Sequence, residues 1–290
     1  MDIAFIMPFT AQSGDLAEIA RTVESLGYES LWIPEHPVIP LKVSTVYPFA
    51  DRKLPEHYGR WCDPFIALTV AATVTRRIKL GTGICLLPER EPLITAKLIA
   101  SLDLLSNGWV ILGVGAGWLR EETQAMGANF GTRWKRTREM VEAMRLLWST
   151  DNPSYDGEIV KFPALRCDPK PVQKPYPQFL LGAHGDKALE RVARTYDGWM
   201  PLVDDVAKFS KDVVKLRELL KSHGRKPDAI DISPLVDPSG FSANDLKAYK
   251  NAGANRLIVF SQKIVADNAN GKALELARRY SEIVELARTI

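Results

Sequence analysis

Apolar residues recur along the chain at two alternating periods. Short, mostly apolar runs at 78–87 and 109–114 read as strands buried on both faces of a parallel sheet. Between them, Leu93, Ile94, Ala96, Leu98, Ile99, Leu102 and Leu105 fall at helical spacing over 92–106. The same alternation runs from end to end. Strands are expected at 2–9, 29–34, 78–87, 109–114, 178–182, 197–201, 229–236 and 255–260. Helices are expected at 14–26, 63–75, 92–106, from 118, and at 132–148, 186–195, 206–223, 244–251 and 271–287. Asp63 and Pro64 form an N-cap and first helical position, and Gly27 closes the first helix.

Eight strands, each followed by a helix, with no internal repeat or linker, predict a single α/β domain over 1–290 folded as a (β/α)8 TIM barrel. A doubly wound open sheet is the rival. It would show fewer strands and a glycine fingerprint in its first βα turn, and PFTAQSGD has none.

Two segments break the rhythm. Residues 35–61 form an extended loop after strand two, rich in proline and carrying Tyr47, Phe49, Tyr58 and Trp61. A loop of this length is functional or disordered, and its aromatics argue against disorder. It leaves the C-terminal end of a strand, so it belongs to the barrel's active face. The second, 149–177, is a proline-rich insertion before strand five that starts on the opposite face, with a small hairpin turned at Asp156 and Gly157.

Composition narrows the function classes. A net charge of +3 with scattered basic residues speaks against a nucleic-acid partner. No apolar run reaches the roughly 20 residues that span a bilayer, so no membrane role is expected. The N-terminus reads as a first strand and not as a signal peptide. Cys62, Cys85 and Cys167 are odd in number and widely spaced, which suits a reduced, cytoplasmic protein.

The histidines are His36, His57, His184 and His223. None forms an H-x-H or H-x-x-x-H pair, so no metal site is expected, and no G-x-S-x-G elbow points to a serine hydrolase. His36, beside Glu35 at the end of strand two, either moves a proton at the barrel mouth or holds its own loop. His184 follows strand five as a helix-start neighbour or a catalytic group, and His57 could touch substrate. The strand ends GVGAGW, with Gly115, Ala116, Gly117 and Trp118, and GAHGD, with Ala183, His184 and Gly185, each lead into a helix. Their glycines either admit a phosphate to backbone N–H groups or merely permit a tight turn. Together they favour a phosphate-bearing cofactor. Gly83 and Ile84, inside strand three, mark a bulge with close ligand approach or a packing glycine.

These stretches carry a resemblance. LWIPEHPVIP (31–40), DPFIALTVAATVTRRIKLGTGICLLPEREP (63–92), LDLLSNGWVILGVGAGWLREE (102–122), NPSYDGEIVKFP (152–163) and FLLGAHGDKALERVARTYDGWMP (179–201) stand in the order and spacing of the bacterial luciferase-like superfamily of flavin- and deazaflavin-dependent barrel enzymes. The chain is most similar to the coenzyme F420-dependent branch. After Pro201 the likeness is loose. The resemblance implies a flavin-type ring in the barrel mouth, backed by a non-prolyl cis peptide at Gly83–Ile84. It implies that Gly115, Ala116, Gly117, Trp118, Ala183, His184 and Gly185 line the cofactor's side chain and phosphate. Glu35 and His36 match the family's acid–histidine pair beside the ring. The chain departs at Trp109, where the family carries an arginine, and at Ala183, where it carries glycine.

The implied activity is hydride transfer between F420 and a small organic substrate, with His36 as proton donor or acceptor assisted by Glu35. The alternative is a two-component monooxygenase using reduced FMN and O2, fed by a separate reductase. A non-catalytic flavin carrier is a third reading, which intact Glu35 and His36 oppose. A homodimer through helices near strands two to four is also implied.

Overall fold

The computed structural model describes residues 1–48 and 53–290, so Phe49 lies outside the described residues. The expected strands appear as β1 (Asp2–Ile6), β2 (Ser30–Ile33), β3 (Lys79–Leu86), β4 (Val110–Gly115), a hairpin β5 (Tyr155–Asp156) and β6 (Lys161–Phe162), then β7 (Phe179–Leu181), β8 (Gly198–Trp199), β9 (Leu202–Val203), β10 (Asp231–Ile232), β11 (Leu235–Val236) and β12 (Arg256–Val259). Helices are α1 (Leu16–Ser25), α2 (Pro64–Val74), α3 (Pro92–Leu105), α4 (Arg120–Ala125), α5 (Arg133–Ser149), α6 (Asp186–Thr195), α7 (Val206–Ser222), α8 (Ala243–Ala252), α9 (Gln262–Asp267) and α10 (Ala273–Arg288).

The parallel pairs run β12–β1–β2–β3–β4–β7–β8–β10 and β12–β11–β9. β8 and β9 are halves of one strand interrupted at Met200 and Pro201, and β10 and β11 are halves of the next, interrupted at Ser233 and Pro234. A proline cannot donate to a ladder, so each strand breaks there. Rejoined, the halves pair twice and close the eight-stranded barrel.

The lumen explains several residues. Ile3 and Phe5 of β1 face the helices, while Ala4 and Ile6 face inward with Trp32, Ile111, Leu180, Met200 and Ile258. Trp32 is fully buried across the lumen, its indole N–H donating to Ser30 Oγ at 2.8 Å. A Cβ on Gly81 would lie 2.2 Å from that ring. Below it, Arg256 donates to Glu29, Asp231 and Ser233. Burial would raise the Glu29 carboxyl, but the Arg256 guanidinium outweighs it and holds Glu29 at about 2. Salt bridge and indole plug the N-terminal end, leaving the mouth at the C-terminal strand ends.

Some expectations shift. The β5–β6 turn spans 157–160, because the Glu139 carboxylate accepts from the N–H groups of Glu158, Ile159 and Val160. The helix after β4 starts at Arg120, two residues later than expected, and the short α9 precedes the final helix. Asp63 caps α2 as expected, accepting from Phe65 N at 2.8 Å and Ile66 N at 3.2 Å. α2 carries no charged residue, and α3 carries only Lys97 and Asp103. Ile66 and Val70 on α2, and Ile94, Leu98 and Leu105 on α3, repeat at helical spacing and are exposed.

Candidate active site

β2 ends at Ile33 and delivers Glu35 and His36 to the mouth, both buried. Glu35 is fully engaged. It accepts from Leu86 N at 2.7 Å and from Arg90 Nε at 2.7 Å, with a second bond from Arg90 Nη2. Arg90 also reaches Asp63 Oδ2 at 2.6 Å. Both guanidinium donors fall on Oε1 while Oε2 takes the Leu86 N–H, and these charge-assisted bonds tie β2 to the end of β3.

The carboxyl that faces His36 is Glu122, on α4. Its Oε2 lies 2.6 Å from His36 Nδ1, and the two residues are 1% and 8% exposed. Burial pushes the His36 imidazole down to about 4, against the opposing pull of the Glu35 charge. Burial pushes Glu122 up to about 8, and burial with the Glu122 charge does the same to Glu89. Burial thus works against charge on both partners and favours a neutral imidazole beside a protonated Glu122.

Rings surround His36. Tyr58, Trp61 and Trp118 lie at centroid distances of 4.9, 5.3 and 5.9 Å. Tyr47 packs on Trp118 at 5.5 Å. The loop that supplies Tyr47, Tyr58 and Trp61 is pinned on both sides. Ser44 N, Ser44 Oγ and Thr45 N donate to Glu121 on α4 at 2.8, 2.6 and 3.0 Å. Tyr47 and Tyr58 hydroxyls reach Gln262 Oε1 on α9 at 2.6 and 3.3 Å. His57 accepts from Trp61 Nε1 at 3.3 Å. Its own Nε2, and Gln262 Nε2, are buried without hydrogen-bond partners among the described residues.

Gly83 and Ile84 form a bulge: Thr82 pairs with Leu112 but Cys85 with Val114, and the Gly83–Ile84 peptide is cis. The Ile84 side chain lies across the ends of β4 and β7. A Cβ on Gly115 would sit 2.2 Å from Ile84 Cδ1, and one on Gly182 2.7 Å from Cγ2. Packing against Ile84 thus explains the small residue at Gly115. Gly117 has a positive φ of 73°, and its carbonyl accepts from Arg133 Nε at 3.2 Å. Ala116 is buried, whereas Trp118 is half-buried and joins the ring cluster. Ala183 O accepts from Trp199 Nε1 at 2.9 Å. His184 and Gly185 are exposed at the head of α6, with Gly185 at φ 79°.

Beside the turn at Gly117 stand cations without an acidic partner among the described residues. Arg120 and Arg133 both stack on Phe130, at 4.5 and 3.7 Å, and Arg191 covers Trp134 at 4.1 Å. Burial, with Arg120 and Arg191 nearby, lowers the Arg133 guanidinium.

Sequence reasoning missed Glu122, Glu89, Arg90 and Gln262. Glu122 stands in REE right after GVGAGW, but an acid in a first helical turn is ordinarily a solvated dipole partner, and nothing in one sequence marks it as buried.

The chain matches known proteins over most of its length. It is 40% identical over 237 residues to the uncharacterized protein Rv0953c of Mycobacterium tuberculosis, spanning 79% of this chain and 83% of that one. Its fold superposes on the coenzyme F420-dependent tetrahydromethanopterin reductase from Methanopyrus kandleri, with a TM-score of 0.72 at 21% identity, covering 95% and 96% of the two chains. It superposes likewise on an F420-dependent secondary alcohol dehydrogenase bound to an F420–acetone adduct, with a TM-score of 0.74 at 18% identity and 99% of each chain. Residues 7–285 match the family described as luciferase-like monooxygenase, and the chain belongs to that family of barrel oxidoreductases.

Proposed function

We propose that the protein transfers a hydride between coenzyme F420 and a small organic substrate, with His36 giving or taking the proton. The observation that carries this reading is the His36 imidazole itself. It stands at the end of β2 within a wall of aromatic rings, with Nδ1 held by Glu122 at 2.6 Å and Nε2 making no hydrogen bond among the described residues. That is the setting a general acid or base needs.

The residues present suit the cofactor. Aromatic side chains and the Gly83–Ile84 bulge fit a flat ring, while the unpartnered Nε2 atoms of His57 and Gln262 offer donors to its oxygen-bearing edge. Arg120, Arg133 and Arg191, next to Gly115, Ala116, Gly117 and Trp118, suit an anionic tail, with Ala183, His184 and Gly185 across from them. When bound, the deazaflavin supplies hydride chemistry at C5, and the barrel's part is to orient the ring and manage the proton. Glu35 anchors His36 through Arg90 and Leu86. The relatives described as F420-dependent support the same choice. Free Cys62, Cys85 and Cys167 suit a reducing cytoplasm.

The description of the matching family favours a second reading, a monooxygenase using reduced FMN and O2 with a separate reductase. It would use the same mouth. The first reading is tested by His36→Gln. Turnover of reduced F420 with carbonyl substrates should fall about 100-fold or more, while F420 affinity stays within about threefold. Undiminished turnover sinks the role of His36.

A further inference from the structure

Glu122 is the most deeply buried acid at the mouth, and the hydride reading alone gives it no task. Its Oε2 meets His36 Nδ1 at 2.6 Å, its Oε1 is buried with no partner of regular hydrogen-bond geometry among the described residues, and the nearby Val38 backbone N–H partly offsets the effect of burial. The groups around the pair come from every neighbouring element. Glu35 follows β2, and Cys85, Glu89 and Arg90 come from β3 and the turn after it. Asp63 precedes α2, and His57 and Tyr58 come from the long loop. Glu121 and Thr123 flank Glu122 on α4. Among the described residues the cation bonded to these acids is Arg90, committed to Glu35 and Asp63, while Arg120 on α4 stacks on Phe130, Arg136 donates to the Pro88 and Arg90 carbonyls, and Arg60 stands near His57. Glu89 brings a second buried carboxyl, its Oε1 taken by Thr123 Oγ1 at 2.9 Å and its Oε2 unpartnered. An ionised Glu122 here would be a buried anion with an unsatisfied oxygen beside other carboxyls, which is costly.

We propose that His36 and Glu122 act as one proton-carrying unit, in which Glu122 is the positioning residue that refills the imidazole from behind. In the loaded form Glu122 Oε2–H donates to Nδ1, so the imidazole proton sits on Nε2. A substrate oxygen with developing negative charge takes the Nε2 proton. As that N–H bond breaks and the new O–H bond forms, the Oε2–H bond breaks and an Nδ1–H bond forms. The imidazole stays neutral throughout and the negative charge moves from the substrate oxygen to Glu122. No electron is transferred in this step. In reverse, the substrate hydroxyl proton goes to Nε2 and the Nδ1 proton to Glu122. This explains how an imidazole that burial keeps from becoming cationic can still donate near neutral pH. The unit titrates as a pair, loaded on the acid side of a transition that burial sets above the ordinary carboxylate range.

The substrate step rests on the hydride-transfer reading, but the unit itself is tested without cofactor. ¹⁵N-histidine NMR of the cofactor-free, full-length protein should show His36 as the Nε2–H tautomer at pH 6–7, with Nδ1 accepting, and one transition near pH 8. Glu122→Gln should abolish that transition, and Glu122→Asp should keep it. An imidazolium at neutral pH, or the same transition in Glu122→Gln, overturns the proposal. If Glu122→Gln fails to fold, the wild-type spectrum and Glu122→Asp decide alone. In turnover, Glu122→Gln should lower kcat about 100-fold with KM and cofactor affinity nearly unchanged, and lose the basic limb of the pH profile. A wild-type pH profile in that variant contradicts the unit. Tautomer and transition as expected, with no F420 chemistry at all, would instead fault the hydride-transfer reading.

Discussion

At the scale of single residues, the mouth is shaped by what each glycine admits. Gly115 and Gly182 leave room for Ile84, and Gly81 for Trp32. Gly115→Ala should therefore destabilise the fold by about 1–3 kcal/mol through overpacking, read as a lower urea midpoint, and Ile84→Val should recover part of the loss. Unchanged stability would mean that Ile84 does not rest there. The sequence supports two meanings for the GVGAGW glycines, phosphate approach or a tight turn, and the structure adds what each does for the backbone: Gly115 leaves room for Ile84 and Gly117 takes a positive-φ turn. One sequence does not show the first of these, because the partner atoms come from Ile84, on a different strand. The neighbourhood of His36 was legible, since it follows directly from the end of β2. The identity of its acid partner was not, because Glu122 lies 86 positions away.

At the scale of elements, the alternating periods located every barrel strand and most helices. They ran the strand expected at 229–236 through the break at Pro234, and ended the one expected at 197–201 at Pro201, short of β9, because a proline reads as a strand end. The aromatics of the 35–61 loop argue for packing over disorder, and Tyr47, Tyr58 and Trp61 do pack, but the loop's moorings were not legible. They lie on α4, through Glu121, and on α9, through Gln262. Because Glu121 holds both backbone N–H groups of Ser44 and Thr45, Glu121→Ala should speed amide hydrogen exchange at those two residues while leaving the barrel strands protected. Exchange unchanged at Ser44 and Thr45 would show that the loop is held by its aromatics alone. The two-residue turn expected at Asp156 and Gly157 gave way to a longer one because Glu139, on α5, offers its carboxylate to three consecutive N–H groups.

At the scale of the whole molecule, the barrel is closed below by Arg256 and Trp32, which leaves the C-terminal strand ends for chemistry. Outside, Ile66, Val70, Ile94, Leu98 and Leu105 give α2 and α3 a shared apolar face, a feature that marks association surfaces. We propose that a second copy of the chain covers it. Light scattering should then give a dimer for the native protein and a folded monomer for Ile66→Glu combined with Ile94→Glu, and a native monomer would refute this. The choice of cofactor is read by an equilibrium titration of the purified protein with F420 and with FMN, followed by fluorescence. Saturable one-to-one binding of F420 is expected, weakened by salt if Arg120, Arg133 and Arg191 meet its anionic tail, with FMN binding at least about tenfold more weakly. Tight binding of FMN with none of F420 would contradict it.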